Sequence, residues 1–147
     1  MINRARVESA ARAAFIVAAA GAVALVSIVL FLAVGQPFGT VNDVALLVMT
    51  MALQPLILGH YELGGVVPLW PARLSLFGAT AAVAGWALLQ LAFIVGLATF
   101  DYGHAATGAL AIQSVLQVII GLWIAGASLL AGRWLPLLVR LLGMVGF

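Results

Sequence analysis

Four long apolar runs occupy most of this chain, and they constrain its fold more than any other feature. A helix that crosses the hydrocarbon core of a bilayer needs about 20 mainly apolar residues. Charged residues make up 7% of the sequence, whereas a soluble domain has about 25%. Too few polar groups are therefore present to cover a water-facing surface. The sequence predicts an all-α integral membrane protein with one domain over residues 1–147.

The four runs predict a four-helix bundle whose membrane spans are joined by short connections. The predicted spans cover residues 13–34, 43–61, 74–100 and 105–132. The tail at 133–147 is too short to cross the bilayer, and we expect it to lie at the membrane interface. The first run is longer than the core of a signal peptide, which has about 7 to 15 residues, so we expect this helix to be retained.

The connection between the first two spans predicts where the second helix begins. Pro37 and Gly39 are residues that interrupt helices. Thr40, followed three residues later by Asp43, approximates a capping box, in which both side chains satisfy free N–H groups at a helix N-terminus. An acidic residue is also favoured there by the helix dipole. The second helix is therefore predicted to begin near Asp43, and Asp101 is expected to cap the fourth in the same way.

The charged residues predict the orientation of the bundle in the membrane. The sequence has no Lys, and all six Arg residues lie on one side of the predicted spans, namely Arg4, Arg6, Arg12, Arg73, Arg133 and Arg140. The connections on the other side carry Asp43 and Asp101 instead. Cytoplasmic connections of membrane proteins are enriched in Arg and Lys. The pattern therefore predicts an up-down bundle with both termini in the cytoplasm.

Several classes of function are disfavoured by the residues that the chain lacks or separates. It has no Cys, which excludes disulfides and Cys-ligated metals. His60 and His104 are predicted at opposite membrane faces, so they cannot ligate one haem together. The ionisable residues lie at span ends, which disfavours proton-coupled transport, and the scattered Arg residues form no nucleic-acid surface. We expect no cofactor, no metal and no nucleic-acid partner.

Small residues on the first span indicate how the helices pack. Alanine recurs every four residues, at Ala10, Ala14, Ala18 and Ala22. Such a stripe lets two helix backbones approach closely, which favours packing in a bilayer. We expect the stripe to face another helix of the same chain. Alternatively, the stripe contacts a second copy of the chain in a homo-oligomer, or another transmembrane protein. Membrane lipids are expected partners in either case.

Polar residues inside the spans are the candidate functional groups. On span two, Asp43, Thr50, Gln54 and Tyr61 lie near one line, because a helix turns about 100° per residue. With a rise of about 1.5 Å per residue from the predicted outer ends, Gln54, Gln90 and Gln117 are expected at one depth, near the midplane. Ser27 and Gln113 are expected nearer the outer surface.

Two interpretations of these polar residues remain open. Gln and Ser commonly form hydrogen bonds between membrane helices, so one interpretation is that the set serves packing alone. The alternative is a polar-lined pocket for a lipophilic ligand in the outer half, since ligand pockets combine apolar walls with a few polar groups. The candidate ligand-binding residues are Ser27, Thr50, Gln54, Gln90, Gln113 and Gln117.

Two short stretches resemble a known pattern. They are Gly-Gln-Pro-Phe-Gly-Thr-Val-Asn-Asp at residues 35–43 and Ile-Gly-Leu-Trp at residues 120–123. Together they resemble small bacterial four-helix membrane proteins to which no function is assigned. The resemblance implies a tetraspan architecture, with the first outer turn as its characteristic part. It implies no activity. We expect the protein to lie in the bacterial inner membrane.

The sequence favours a non-enzymatic membrane protein. We expect it to be a helical subunit of a membrane complex or to bind a lipophilic ligand in the outer half. The alternative is a membrane-embedded acid–base enzyme of the isomerase, cyclase or hydrolase type. In that case Asp43, Asp101 and His104 are the candidate catalytic residues, because paired carboxylates in a partly apolar site can hold different protonation states.

Overall fold

The structure is a computed structural model that describes residues 4–63, 70–97 and 108–130. The described part of the chain forms four helices and contains no strand: α1 (Arg4–Val34), α2 (Phe38–Leu63), α3 (Trp70–Ile94) and α4 (Ala109–Leu130). The first three are long and apolar enough to cross a membrane, and the apolar part of α4, Ala111–Ala127, is shorter. The expected all-helical membrane character is therefore present.

The start of α2 differs from the sequence-based expectation. The helix begins at Phe38, five residues before the predicted start at Asp43, and its first turn has no acidic residue. The carbonyl of Pro37 accepts a hydrogen bond from the N–H of Val41 at 3.2 Å. Proline is tolerated at a helix N-terminus because an N–H there would have no partner within the helix. The N–H of Thr40 donates to the side-chain oxygen of Gln36 at 3.4 Å, and Thr40 lies inside the helix rather than at its N-cap. The predicted capping box was wrong.

Two glycines in the left-handed region end the helices α1 and α3. Gly35, with φ of 89°, donates its N–H to the carbonyl of Phe31 at 2.8 Å. Gly96 has φ of 74°, and the next residue, Leu97, donates to Ala92 at 2.8 Å. This 6→1 bond marks a Schellman motif, which satisfies carbonyls at the end of a helix. As a result α3 ends at Ile94, six residues before the predicted end at residue 100.

The α1–α2 pair is antiparallel and closely packed through small residues. A Cβ on Gly59 would lie 2.1 Å from the Cβ of Ala10, and a Cβ on Gly21 would lie 3.6 Å from the sulfur of Met49. Farther along, a Cβ on Gly39 would contact Phe31. The residue numbers rise on one helix as they fall on the other, which fixes the antiparallel direction.

The buried face of α1 is not the predicted alanine stripe. Its buried residues are Ala10, Ala13, Ala20, Ala24 and Ser27, whereas Ala14, Ala18 and Ala22 are exposed. A spacing of alternately three and four residues follows one face of a helix, because a turn has about 3.6 residues. A constant spacing of four drifts around the helix by about 40° per step. Only Ala10 belongs to both sets.

The core lies between α2, α3 and α4. It is formed by Leu53, Ile57, Ala79, Ala82, Val83, Trp86, Ile120 and Ile124. Gln54 of α2 bonds to Thr80 of α3. These helices are antiparallel, because the six-residue connection at 64–69 cannot span the length of a helix, given about 3.5 Å per residue. Leu116 lies against Gly85, and Ile124 packs in the same cluster as Ala79, so α4 is antiparallel to α3.

The four helices are arranged in a row rather than a closed square. Helix α1 comes within 8 Å, measured between Cα atoms, of α2 but not of α3 or α4, and α2 makes a smaller contact with α4 in addition to its contact with α3. Large apolar side chains cover the outer faces, including Phe15, Leu25, Phe77, Leu88 and Leu122, each more than 60% exposed. Lipid is the solvent that suits such a surface.

Candidate ligand-binding site between α3 and α4

The two ends of the bundle differ in charge. We call the end that holds Arg4, Arg6, Arg12 and Arg73 the arginine end, and the opposite end, with the α1–α2 turn and Asp43, the aspartate end. At the arginine end, Arg6 pairs with Glu62 at 2.5 Å and joins α1 to α2. Both side chains of this pair retain access to solvent, so its contribution to stability is small.

Thr50 and Gln54, two of the polar residues near one line on α2, face the interior of the bundle. Thr50 is completely buried and its hydroxyl donates to the carbonyl of Leu46 at 2.7 Å. The amide nitrogen of Gln54 donates to the hydroxyl of Thr80 at 3.2 Å. The Gln54–Thr80 bond is a packing contact between two helices, which is the first of the two interpretations for this pair.

Gln54 and Gln90, two of the three glutamines predicted at one depth, are separated in the structure. Gln54 is level with Thr80, and Gln90 lies ten residues farther along α3, a distance of about 15 Å. The expectation failed because it counted from the wrong helix ends. Since α2 begins at Phe38 and α3 ends at Ile94, Gln54 is about 24 Å from the aspartate end of its helix and Gln90 about 6 Å.

Three buried polar atoms near the aspartate end have no hydrogen-bond partner in the described part of the chain. They are Nε1 of Trp86 and Oε1 of Gln90, both on α3, and Oε1 of Gln113 on α4. Trp86 is 3% exposed and Gln90 is 1% exposed. A buried polar group without a partner costs about 1–3 kcal/mol. In hydrocarbon there is also no water to replace the missing bond.

These three side chains lie at one level of the bundle. Trp86 and Gln90 are four residues apart, which puts them on the same face of α3 with Cβ atoms about 6 Å apart. Gln113 precedes Leu116 by three residues, or about 4.5 Å along α4. Since Leu116 lies against Gly85 and the helices are antiparallel, Gln113 is level with the interval between Trp86 and Gln90. We call these three residues the unpaired cluster.

Two further candidates lie near the level of the unpaired cluster. The Gln54–Thr80 pairing makes Asp43 level with Gln90 to within about one helical turn. The contacts of α1 with α2 make Ser27, which is buried, level with Asp43. Asp43 is partly buried and accepts a long bond from Asn42, at 3.5 Å. Gln117 is partly buried one turn farther along α4.

The catalytic candidates Asp101 and His104 lie outside the described residues, as does the tail at 133–147. Asp43 is therefore the one member of the predicted acid–base set that the structure describes. No group of three or more His, Asp or Glu side chains within the described ranges is arranged to hold a metal ion.

Trp86 was missed by the sequence reasoning because a tryptophan in an apolar run fits the lipid-facing or core pattern. A signal was present nonetheless, since its four-residue spacing from Gln90 puts two polar groups on one helix face. The site can provide one N–H donor and two carbonyl acceptors to a molecule in contact with α3 and α4.

Comparison of the chain with protein-family models, curated proteins and solved structures finds no match.

Proposed function

We propose that the protein is a tetraspan integral membrane protein, with both termini in the cytoplasm, that binds a lipophilic molecule at the unpaired cluster. The observation that carries the proposal is the coincidence of three buried, unpartnered polar atoms at one level of α3 and α4. A molecule with a polar head and an apolar body satisfies them without exposing them to water. Its apolar body remains among side chains of the same character.

The length and surface of α4 support a fourth span. Its 22 residues extend about 33 Å, close to the roughly 30 Å of a hydrocarbon core. Its outer face carries the exposed apolar residues Ile112, Val115, Val118 and Leu122. A helix that packs antiparallel along a membrane-crossing helix and exposes such a stripe is suited to cross the bilayer beside it.

The position of the unpaired cluster supports access from the membrane. Gln90 and Gln113 each lie about one turn from the aspartate end of their helices, which is about 6 Å. Gln113 is partly exposed. A ligand can therefore enter with its head near the lipid headgroups and leave its apolar part beside the lipid-facing residues of α3 and α4.

The test is purification in a mild detergent, followed by native mass spectrometry of the protein and of extracted lipophilic molecules. We expect the native chain to retain one lipophile, and Gln90→Leu and Gln113→Leu each to reduce its occupancy. Gln54→Leu is the matched control, because Gln54 bonds to Thr80 about 15 Å away along the bundle.

Two results would contradict the proposal. One is a native chain that carries no retained molecule although it is folded by circular dichroism. The other is an equal loss of occupancy in the Gln54→Leu control and in the two cluster variants, which would assign the effect to general destabilisation. Retention that depends on Gln90 and Gln113 alone supports the site.

A second candidate function is that of a helical subunit in a larger membrane complex. The row arrangement favours it, because α1 contacts only α2 among the described helices and its other faces expose the small residues Ala14, Ala18 and Ala22. We expect Ala18→Cys to form a disulfide-linked species with a partner that also carries a cysteine, in native membranes. Ile16→Cys, on another face of α1, is the control, and equal cross-linking of both would argue against a specific partner.

A further inference from the structure

We infer that the lipophile bound at the unpaired cluster carries a primary ammonium group with a hydrogen-bond acceptor beside it, as in an amino-alcohol headgroup. The inference rests on the proposed function and narrows the chemistry of its ligand. It follows from the balance of donors and acceptors at the site and from the charge of the aspartate end.

The fully buried, unpartnered atoms of the unpaired cluster are two acceptors and one donor. Gln90 and Gln113 each leave a carbonyl oxygen without a partner, and Trp86 leaves one N–H. A matching head therefore has at least two donors and one acceptor. A primary ammonium group supplies three N–H donors, and an adjacent hydroxyl or ester oxygen accepts from the indole. A quaternary ammonium has no N–H and leaves both oxygens unsatisfied.

The charge of the aspartate end selects a cation over a neutral head. Every described Arg lies at the arginine end, and the sequence from residue 74 to 132 contains no basic residue except His104. Asp43 is partly buried and near the level of Gln90, with a long bond from Asn42 as its described contact. A partly buried carboxylate without a cation is unfavourable, and a bound ammonium compensates its charge.

Neutral and anionic heads fit this arrangement less well. A vicinal diol supplies two donors and one acceptor, so it satisfies the unpaired cluster but does not compensate Asp43. A carboxylate head repels Asp43 and has no donor for Gln90 or Gln113. The three chemistries therefore predict different dependences on Asp43, and this difference makes the inference testable separately from the site itself.

The experiment measures binding of three probes with the same chain length to the full protein in phosphatidylcholine nanodiscs. The probes are 1-aminododecan-2-ol, dodecane-1,2-diol and dodecanoate. The readout is the fluorescence of Trp86 in a chain whose other tryptophans, Trp70, Trp123 and Trp134, are replaced by Phe. We expect saturable binding of the amino alcohol with an affinity about tenfold higher than that of the diol. Its affinity is expected to exceed that of dodecanoate by a larger factor.

Variants separate the site from its charge preference. Asp43→Asn preserves the size and polarity of the side chain, and we expect it to remove the roughly tenfold preference for the amine while leaving diol binding unchanged. Asp43→Glu is expected to retain the preference. Gln90→Leu and Gln113→Leu are each expected to weaken binding of the amino alcohol and of the diol to the same extent. Gln54→Leu is expected to change neither.

The outcomes distinguish failure of the ligand site from failure of its preference for an ammonium head. If no probe binds saturably, or if the Gln90 and Gln113 variants bind as the native chain does, the proposed function itself fails. If the diol or dodecanoate binds as tightly as the amino alcohol while the Gln variants still weaken binding, the site stands and the ammonium inference is overturned. An unchanged amine preference in Asp43→Asn also overturns it. If Gln90→Leu loses its fold by circular dichroism, Asp43→Asn against Asp43→Glu decides.

Discussion

Gly59 is the residue at which α1 and α2 approach most closely among the described glycines. A Cβ at this position would lie 2.1 Å from the Cβ of Ala10 and 3.5 Å from the carbonyl oxygen of Arg6. Real carbon atoms do not approach so closely, and backbone cannot move aside as a flexible side chain can. The absence of a side chain at Gly59 therefore permits the observed separation of the two helices.

We predict that Gly59→Ala destabilises the protein by about 1–3 kcal/mol, the usual range for overpacking a fitted interface. The double variant Ala10→Gly/Gly59→Ala is expected to recover most of the loss, because the new methyl group then replaces the one removed. Unfolding from mixed detergent micelles, followed by circular dichroism, measures both. Gly78→Ala is the control, since a Cβ there meets nothing within 4 Å. A double variant as unstable as Gly59→Ala alone would refute the contact.

The Gln54–Thr80 bond leads to a second residue-level prediction. Hydrogen bonds between membrane helices contribute about 0.6 kcal/mol on average and about 1.7 kcal/mol at most. We expect a double-mutant cycle with Gln54→Leu and Thr80→Val to give a coupling energy in this range. Gln54→Leu with Ser75→Ala is the control cycle, because Ser75 bonds within its own helix, to Ala72. Strict additivity of Gln54→Leu and Thr80→Val would show that the bond adds nothing to stability.

At the scale of helices, the sequence predicted the elements better than their ends. Long apolar runs identify helices, because about 20 consecutive apolar residues form a helix long enough to span the hydrocarbon core. The ends depend on single residues. Gly96 ends α3 through its left-handed conformation, and it lies inside an apolar run where hydropathy gives no signal. The depth of Gln90 was mispredicted for this reason.

We predict that Gly96→Ala destabilises α3 by about 1 kcal/mol, because an L-residue in the left-handed region carries a steric penalty. The effect should be local, so hydrogen exchange of the last turn of α3, including Phe93 and Ile94, is expected to accelerate more than exchange at Val83. Gly126→Ala is the control, as Gly126 is helical and a Cβ there meets nothing within 4 Å. Equal exchange in both variants would contradict the role of Gly96 as a cap.

Two of the three members of the candidate site were predictable from the sequence, but their grouping with Trp86 was not. Gln90 and Gln113 were identified because an amide in an apolar run requires a partner. Their separation from Gln54 depends on the register between helices, which side-chain contacts determine and which a single sequence does not contain. Likewise, the buried face of α1 follows a three–four spacing that the more visible run of alanines at every fourth position concealed.

For the whole molecule, the number of spans determines the relation between the two termini. Four crossings return the C-terminus to the side of the N-terminus, and three leave it opposite. The chain has no Cys, so single cysteines report without background. We predict that Ala11→Cys and a cysteine added after Phe147 are both protected from a membrane-impermeant maleimide in intact cells, whereas Thr40→Cys is labelled.

Both Ala11 and Thr40 are exposed in the structure, so burial within the protein does not explain a difference between them. Permeabilised cells provide the control, because all three cysteines are then expected to react. Labelling of the C-terminal cysteine in intact cells, with protection of Ala11→Cys, would establish an odd number of crossings and overturn the tetraspan proposal.

Of the other three described helices, α1 contacts only α2, and this has a consequence for biosynthesis. Helices enter the membrane in chain order, so α1 must remain there before any partner has been synthesised. Its most apolar stretch of 18 residues has a higher mean hydropathy than the corresponding stretch of α2 or α3, whereas α2 carries Asp43, Thr50 and Gln54. The first helix is thus able to remain in the bilayer before the other helices are inserted. It then provides a protein surface against which the more polar α2 packs.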